Sequence, residues 1–227
     1  MEERSKNILF AIIKEHIRSG APIGSSLLVE KYNLEISPAT VRNIMSELEF
    51  DGFISQPHTS AGRIPTEKAY RFYLEGIKSK RLSTQEAEVF DGILGKKDEL
   101  SVKKAAKELS RLSGQAVFWA ISRHNFYYTG ISNLMQQPEF AHLNAISSIS
   151  EVIDHTDDII EKIYDSIETG TKVFVGSENP FGSICSTIIT RYKNGAVSGL
   201  FGILGPMRMN YEKNLSLARH INGLMIN

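Results

Sequence analysis

The stretch EISPATVRNIMSELEFDGFI, residues 35 to 54, constrains its own backbone more tightly than any other part of the sequence. Ser37 can accept a hydrogen bond from the free N–H groups at a helix start, and Pro38 suits the first helical position, where its missing N–H costs nothing. Gly52 is a natural stop, since glycine readily takes the left-handed backbone that ends helices. A helix so bounded carries Val41, Ile44, Met45 and Leu48 on one side. Ala39, Arg42, Asn43 and Ser46 fall on the other, a small, polar face that is basic near its N-terminus. The FIS that follows is short and β-prone.

The residues before this helix add two more. From Lys6 to Ile17 the apolar residues Ile8, Leu9, Ile12, Ile13 and Ile17 form an i, i+4 stripe, which predicts an amphipathic helix. Gly20 and Pro22 break it, Gly24 or Ser25 can open a second short helix through SLLVEKY, and Asn33 suits a turn. Helix, short helix, turn and a third helix with a bare polar face is the order of a helix-turn-helix module, whose third element offers its N-terminal side chains to the DNA major groove. A three-helix bundle without DNA has the same order. Residues 1 to 80 carry eleven Lys and Arg against ten Asp and Glu, so any DNA affinity rests on a few placed cations.

After the third helix comes QPHTSAGRIPT, closed by prolines and holding Arg63 between Gly62 and Ile64-Pro65. Flanked by two strands, this loop would make a wing, from which Arg63 reaches phosphate or the minor groove.

The run SPATVRNIMSELEFDGFISQPHTSAGRIPTEKAYRFYLEGI resembles the N-terminal winged helix-turn-helix of the HrcA family of heat-inducible transcription repressors. PHTSAGRIPT followed by YRFY is its most specific part. YYTGISNLMQQPEF, VGSENP and GLFGILGPMRMNYEKNL resemble the family's C-terminal effector domain, so the likeness runs nearly end to end. It implies an α+β protein: a winged helix-turn-helix over residues 1 to 80, then a GAF-like α/β sheet domain over 81 to 227. It further implies repression of chaperone operons through an inverted-repeat operator called CIRCE, bound by a dimer, with the chaperonin GroEL as a partner. Carried over by position, the DNA-binding residues are Ser37, Thr40, Arg42, Asn43 and Ser46 of the third helix and His58, Thr59, Ser60 and Arg63 of the wing. One departure stands out. The family places a dimerisation insert between the segments here reading SGQAVFWAIS and YYTGISNL, and in this chain only RHNF separates them.

Beyond residue 80 the periodicity predicts two helices divided near Gly95, the second with Val102, Ala106, Leu109 and Leu112 apolar. QAVFWAIS reads as a buried strand, residues 141 to 168 as mostly helical with Ile159, Ile160, Ile163 and Ile167 on one face, and KVFVG, ICSTIITRY and AVSGLFGILGP as strands. Either helical region could supply a dimer surface, and we expect residues 81 to 113 to do so. Gly199, Gly202 and Gly205 lack the G-x-G-x-x-G spacing of a nucleotide loop and suit close backbone approach within a sheet. GSENP reads as a turn.

Other chemistries find little support. Lys+Arg and Asp+Glu both number 26, so net charge points to no partner. Cys185 is alone, which rules out an internal disulfide and suits a small buried hydrophobe. The histidines His16, His58, His124, His142, His155 and His220 show no metal-ligand spacing. No G-x-S-x-G elbow or carboxylate pair suggests catalysis. Neither a metal nor a cofactor is therefore expected. The N-terminus lacks the apolar core of a signal peptide, no apolar run approaches a membrane span, and cytoplasmic residence is the expectation. Two other functions stay open: a small-molecule sensor, since GAF-like sheets often enclose ligands, and an interaction protein that has lost operator binding.

Overall fold

The computed structural model describes residues 1–77, 81–140, 155–195 and 197–226. The chain divides into two compact units, Met1–Ile77 and Lys78–Asn227, each with its own core.

In the first unit α1 (Glu3–Ser19) ends where Gly20 turns left-handed at φ 68° and its N–H returns to the His16 carbonyl. Helix α2 (Ser25–Tyr32) ends at Asn33, φ 47°. Helix α3 (Pro38–Phe50) starts as its sequence dictates, with Ser37 Oγ accepting from the Thr40 N–H at 3.1 Å. Gly52, at φ 76°, turns the chain into β1 (Ile54–Ser55), which pairs antiparallel with β2 (Ile64–Pro65). Helix α4 (Glu67–Gly76) is capped by Thr66, whose hydroxyl also donates to the Gly52 carbonyl at 2.8 Å. The core joins Ile8, Leu9, Ile12 and Ile13 of α1 to Ile23, Leu28, Val41, Met45, Leu48 and Ile54, each at most 4 % exposed. Side chains of this size contribute roughly 1.5–3 kcal/mol apiece when fully buried, so α1 and α2 together hold the polar-faced helix in place.

The second unit begins with α5 (Thr84–Leu94), opened by a reciprocal Ser83–Glu86 capping box, and α6 (Glu99–Ser113), capped by Asp98 and closed by left-handed Gly114. Strands β3 (Ala116–Ser122) and β4 (Asn125–Thr129) follow, then the short α7 (Ile131–Met135) and α8 (Thr156–Tyr164). Strands β5 (Gly170–Val175), β6 (Cys185–Asn194) and β7 (Val197–Pro206) and helix α9 (Tyr211–Ile226) complete it. The sheet order is β4-β3-β7-β6-β5 with every neighbouring pair antiparallel, which places the chain in the α+β class. Helices α6 and α9 pack on β3 and β6, and α5 packs on both helices.

The two faces of the sheet are filled differently. Phe118, Phe140, Ile160, Tyr164, Phe181, Ile189 and Leu200 belong to one packed apolar cluster. On the other face Trp119 stacks on Phe201 with centroids 4.6 Å apart and donates its indole N–H to Tyr192 at 3.0 Å. The β7 glycines act as expected for close approach: a Cβ on Gly202 would lie 2.2 Å from the Phe118 ring, and one on Gly199 2.2 Å from the Tyr192 hydroxyl. Cys185 is 1 % exposed, and burial pushes its thiol up to about 12, so it stays neutral. GSENP forms a 3-10 turn, Gly176–Glu178, after which Asn179 Oδ1 accepts from Thr187 at 2.9 Å.

Two expectations need adjustment. Strand β4 was not foreseen: Asn125 and Phe126 belong to it, and Ser122 pairs with Asn125, so only Arg123 and His124 make the turn between β3 and β4. The expected apolar dimer surface of residues 81 to 113 is spent internally, with Phe90, Leu94, Val102, Ala106 and Leu109 all buried. The outward large apolar residues of α5 and α6 are Val89 and Leu100. In the predicted helical stretch 141 to 168, residues 141–154 lie outside the described residues, and α8 covers 156–164 with Ile160 fully buried. Among the described residues no helix is long and apolar enough to cross a membrane.

Candidate nucleic-acid interface

Helix α3 divides as its periodicity predicts, with Val41, Met45 and Leu48 buried, Ile44 half-buried, and Ala39, Arg42, Asn43 and Ser46 exposed. The polar residues are engaged to different degrees. Ser37 caps the helix and also meets the Thr40 hydroxyl at 3.0 Å, so both fix the first turn. Ser46 donates to the Arg42 carbonyl at 3.0 Å, one turn back. Arg42 and Asn43 have no side-chain hydrogen bond or ion pair among the described residues. They are the free donors of this face: a guanidinium suits guanine or phosphate and a carboxamide suits adenine.

The loop after β1 is shaped by its backbone. His58, Thr59 and Ser60 are exposed, and Ser60 is left-handed at φ 71°. The Ala61 N–H returns to the His58 carbonyl at 3.0 Å, and Gln56 Nε2 donates to the Ala61 carbonyl at 3.1 Å. Gly62 is required by contact, since a Cβ there would sit 2.5 Å from the carbonyl carbon of Ile23. That closeness lets Ile23 and Arg63 exchange backbone hydrogen bonds of 2.8 and 2.9 Å. The loop is thus tied to the residue just before α2.

Arg63 differs from the other expected contacts. Its Nε donates to Glu49 Oε2 of α3 at 2.9 Å, and its side chain is 17 % exposed. A cleft lined by Ile23, Arg42, Gln56, Ser60 and Arg63, among others, runs between α3 and the loop, so the two polar elements form one surface.

Sequence reasoning passed over Glu15, Glu49 and Thr66. Glu15, 4 % exposed, accepts from Arg18 and Lys31 at 2.7 Å each and from Tyr32 at 3.1 Å, tying α1 to α2. Burial pushes its carboxyl up, but these donors and the two cationic charges outweigh that and hold it below its ordinary value. Burial and the Glu15 carboxylate together push Tyr32 up to about 12. No sequence pattern announces a buried glutamate on an apolar stripe. Thr66 was visible as a threonine just before EKAYRFY, and Glu49 as an acid two turns beyond Arg42 on nearly the same face.

Three comparisons bear on this arrangement. The family profile described as "HrcA protein C terminal domain" matches residues 67–215. The heat-inducible transcription repressor HrcA of Thermodesulfovibrio yellowstonii is 26% identical over 331 residues, covering 96% of this chain and 94% of that protein. Its namesake from Caldanaerobacter subterraneus subsp. tengcongensis is 26% identical over 334 residues, covering 99% and 97%. That of Clostridium perfringens is 43% identical over 119 residues, covering 50% and 35%. An alignment 331 positions long against a chain of 227 residues means that the relatives carry residues this chain lacks. Among solved structures, one titled only as a hypothetical protein at 2.2 Å resolution superposes with a TM-score of 0.79 at 20% identity, covering 99% of this chain and 98% of that one. It shows the same fold.

Proposed function

The chain belongs to the HrcA family, and from that premise we propose that it is a heat-inducible transcription repressor which binds an inverted-repeat operator of the CIRCE type as a dimer. In this reading residues 1 to 80 form a winged helix-turn-helix, with α3 as recognition helix and residues 56–63 as wing. The observation that carries it is the exposed face of α3, where Arg42 and Asn43 hold unengaged donors beside a loop fixed by backbone pairing. Ser37, Thr40 and Ser46 shape that face, and His58, Thr59 and Ser60 lie at the wing tip, where backbone rigidity lowers the ordering cost of a phosphate contact. The relatives are named as repressors and not as enzymes.

Residues 81 to 227 then form the GAF-like effector domain. The packed cluster of Phe118, Phe140, Phe181 and Ile189 on one sheet face supports a signal carried by the domain's folding state or by contact with GroEL over one carried by an enclosed ligand. An inverted repeat needs two recognition helices at half-site spacing, hence the dimer.

Fluorescence anisotropy with three duplexes tests this: a full inverted repeat, one half-site and a scrambled sequence. The full repeat should bind at least about a thousandfold more tightly than the scrambled duplex at physiological salt, with the half-site far weaker. Equal affinity for all three would refute operator recognition and leave the interaction-protein reading.

A further inference from the structure

Glu49 sits seven residues beyond Arg42 in α3, two helical turns on, and so shares the face proposed to meet DNA. A bare carboxylate there would repel phosphates. Its charge is instead taken up by Arg63, whose Nε lies 2.9 Å from Glu49 Oε2. The pair joins side chains that are 34% and 17% exposed, so solvent screens it only in part. The backbone of Arg63 is committed as well, its N–H and carbonyl both bonded to Ile23. A residue pinned at three points is poorly placed to swing toward a phosphate, and well placed to hold the loop.

We infer that Glu49 is a positioning residue for DNA binding: through Arg63 it locks the loop of residues 56–63 to the recognition helix, so that both elements meet DNA as one rigid surface. The inference rests on the proposed DNA-facing role of α3 and the loop. It moves Arg63 from the group of phosphate contacts to the frame that holds Ser60, Thr59 and His58 in place. It also gives Glu49 and Arg63 the same sign of effect. A phosphate-contacting Arg63 would give them opposite signs, because removing Glu49 would then free a cation and remove a repulsive charge.

The test uses the full-length chain with Glu49→Ala, Arg63→Ala and the double variant, with Glu49→Gln and Arg63→Lys held as milder substitutes should the alanine variants unfold. Operator affinity is measured by anisotropy across a salt series, and amide exchange at Ile23 and Arg63 is followed without DNA. Each single change should weaken operator binding by roughly threefold to tenfold, and the double variant should be no weaker than the poorer single, because both remove one contact. The slope of affinity against salt should stay at the wild-type value. Tighter binding by Glu49→Ala, together with a slope reduced by about one in Arg63→Ala, would overturn the inference and make Arg63 a phosphate contact. If the wild-type chain binds no operator, the proposed function fails on its own. Amide exchange then decides the lock: acceleration at Ile23 and Arg63 in Glu49→Ala supports it, and unchanged exchange overturns it.

Discussion

Replacing Gly62 by alanine tests whether the loop beyond β1 is held by contact with Ile23. The added methyl would lie 2.5, 2.6 and 2.7 Å from the carbonyl carbon, oxygen and nitrogen of Ile23. All three are backbone atoms, so no rotamer change relieves the clash. Gly62 is not left-handed, so alanine suffers no backbone strain and the cost is one of space. Ordinary contact begins near 3.4 Å, so one strand must retreat by roughly 1 Å. That lengthens the 2.8 and 2.9 Å hydrogen bonds between Ile23 and Arg63 beyond useful range. Two such bonds are worth about 0.5–1.5 kcal/mol each, and partial unpacking of the fully buried Ile23 adds about 1 kcal/mol. Alanine's smaller unfolded-state entropy offsets about 0.4–1 kcal/mol. The net loss is about 2 kcal/mol, or roughly 8–16 °C in melting temperature for a unit of this size. The sole tryptophan, Trp119, lies in the second unit, so its fluorescence is an internal control and should melt unchanged. The first unit is followed by hydrogen exchange of peptides spanning 20–27 and 59–66. A first-unit transition within about 2 °C of wild type, with protection at Ile23 and Arg63 intact, would refute the reasoning.

Two further predictions concern other parts of the first unit. Arg42→Ala should cost about 1–3 kcal/mol of operator binding and relax the preference at one base pair if Arg42 reads a base; affinity within twofold of wild type, with the fold intact, would remove it from the interface. Glu15 should make the first unit acid-sensitive: its folded-state pKa lies below the ordinary 4.5, so its contribution is complete above that value and is lost as pH falls through the folded pKa. Exchange in α1 and α2 of wild type should therefore quicken as pH drops below about 4.5, after correction for intrinsic exchange rates, and Glu15→Gln should flatten that dependence while lowering stability at neutral pH by roughly 1–3 kcal/mol. A variant with wild-type stability at neutral pH and the same acid slope would contradict this account of Glu15.

The sequence by itself determined what depends on a residue and its near neighbours. Ser37 and Pro38 set the start of α3, while Gly20, Asn33 and Gly52 set chain reversals, because caps and left-handed turns are decided within a few residues of backbone. The period of Val41, Met45 and Leu48 set which side of α3 is buried, and therefore that Arg42 and Asn43 face outward. The β7 glycines were legible as close-approach positions, although only the fold supplied Phe118 and Tyr192 as the groups approaching. What the tertiary structure decided lies at longer range. Strand β4 forms only where the chain folds back on β3 through Arg123 and His124. The stripe on α6 looked available for a second copy until the unit's own sheet covered it. Glu15 finds Lys31 sixteen positions away and Arg63 finds Glu49 fourteen positions away. The worth of each depends on desolvation and geometry that exist only once the helices have packed, and so the sequence marked the face proposed to meet DNA while the fold decided which of its charges are free.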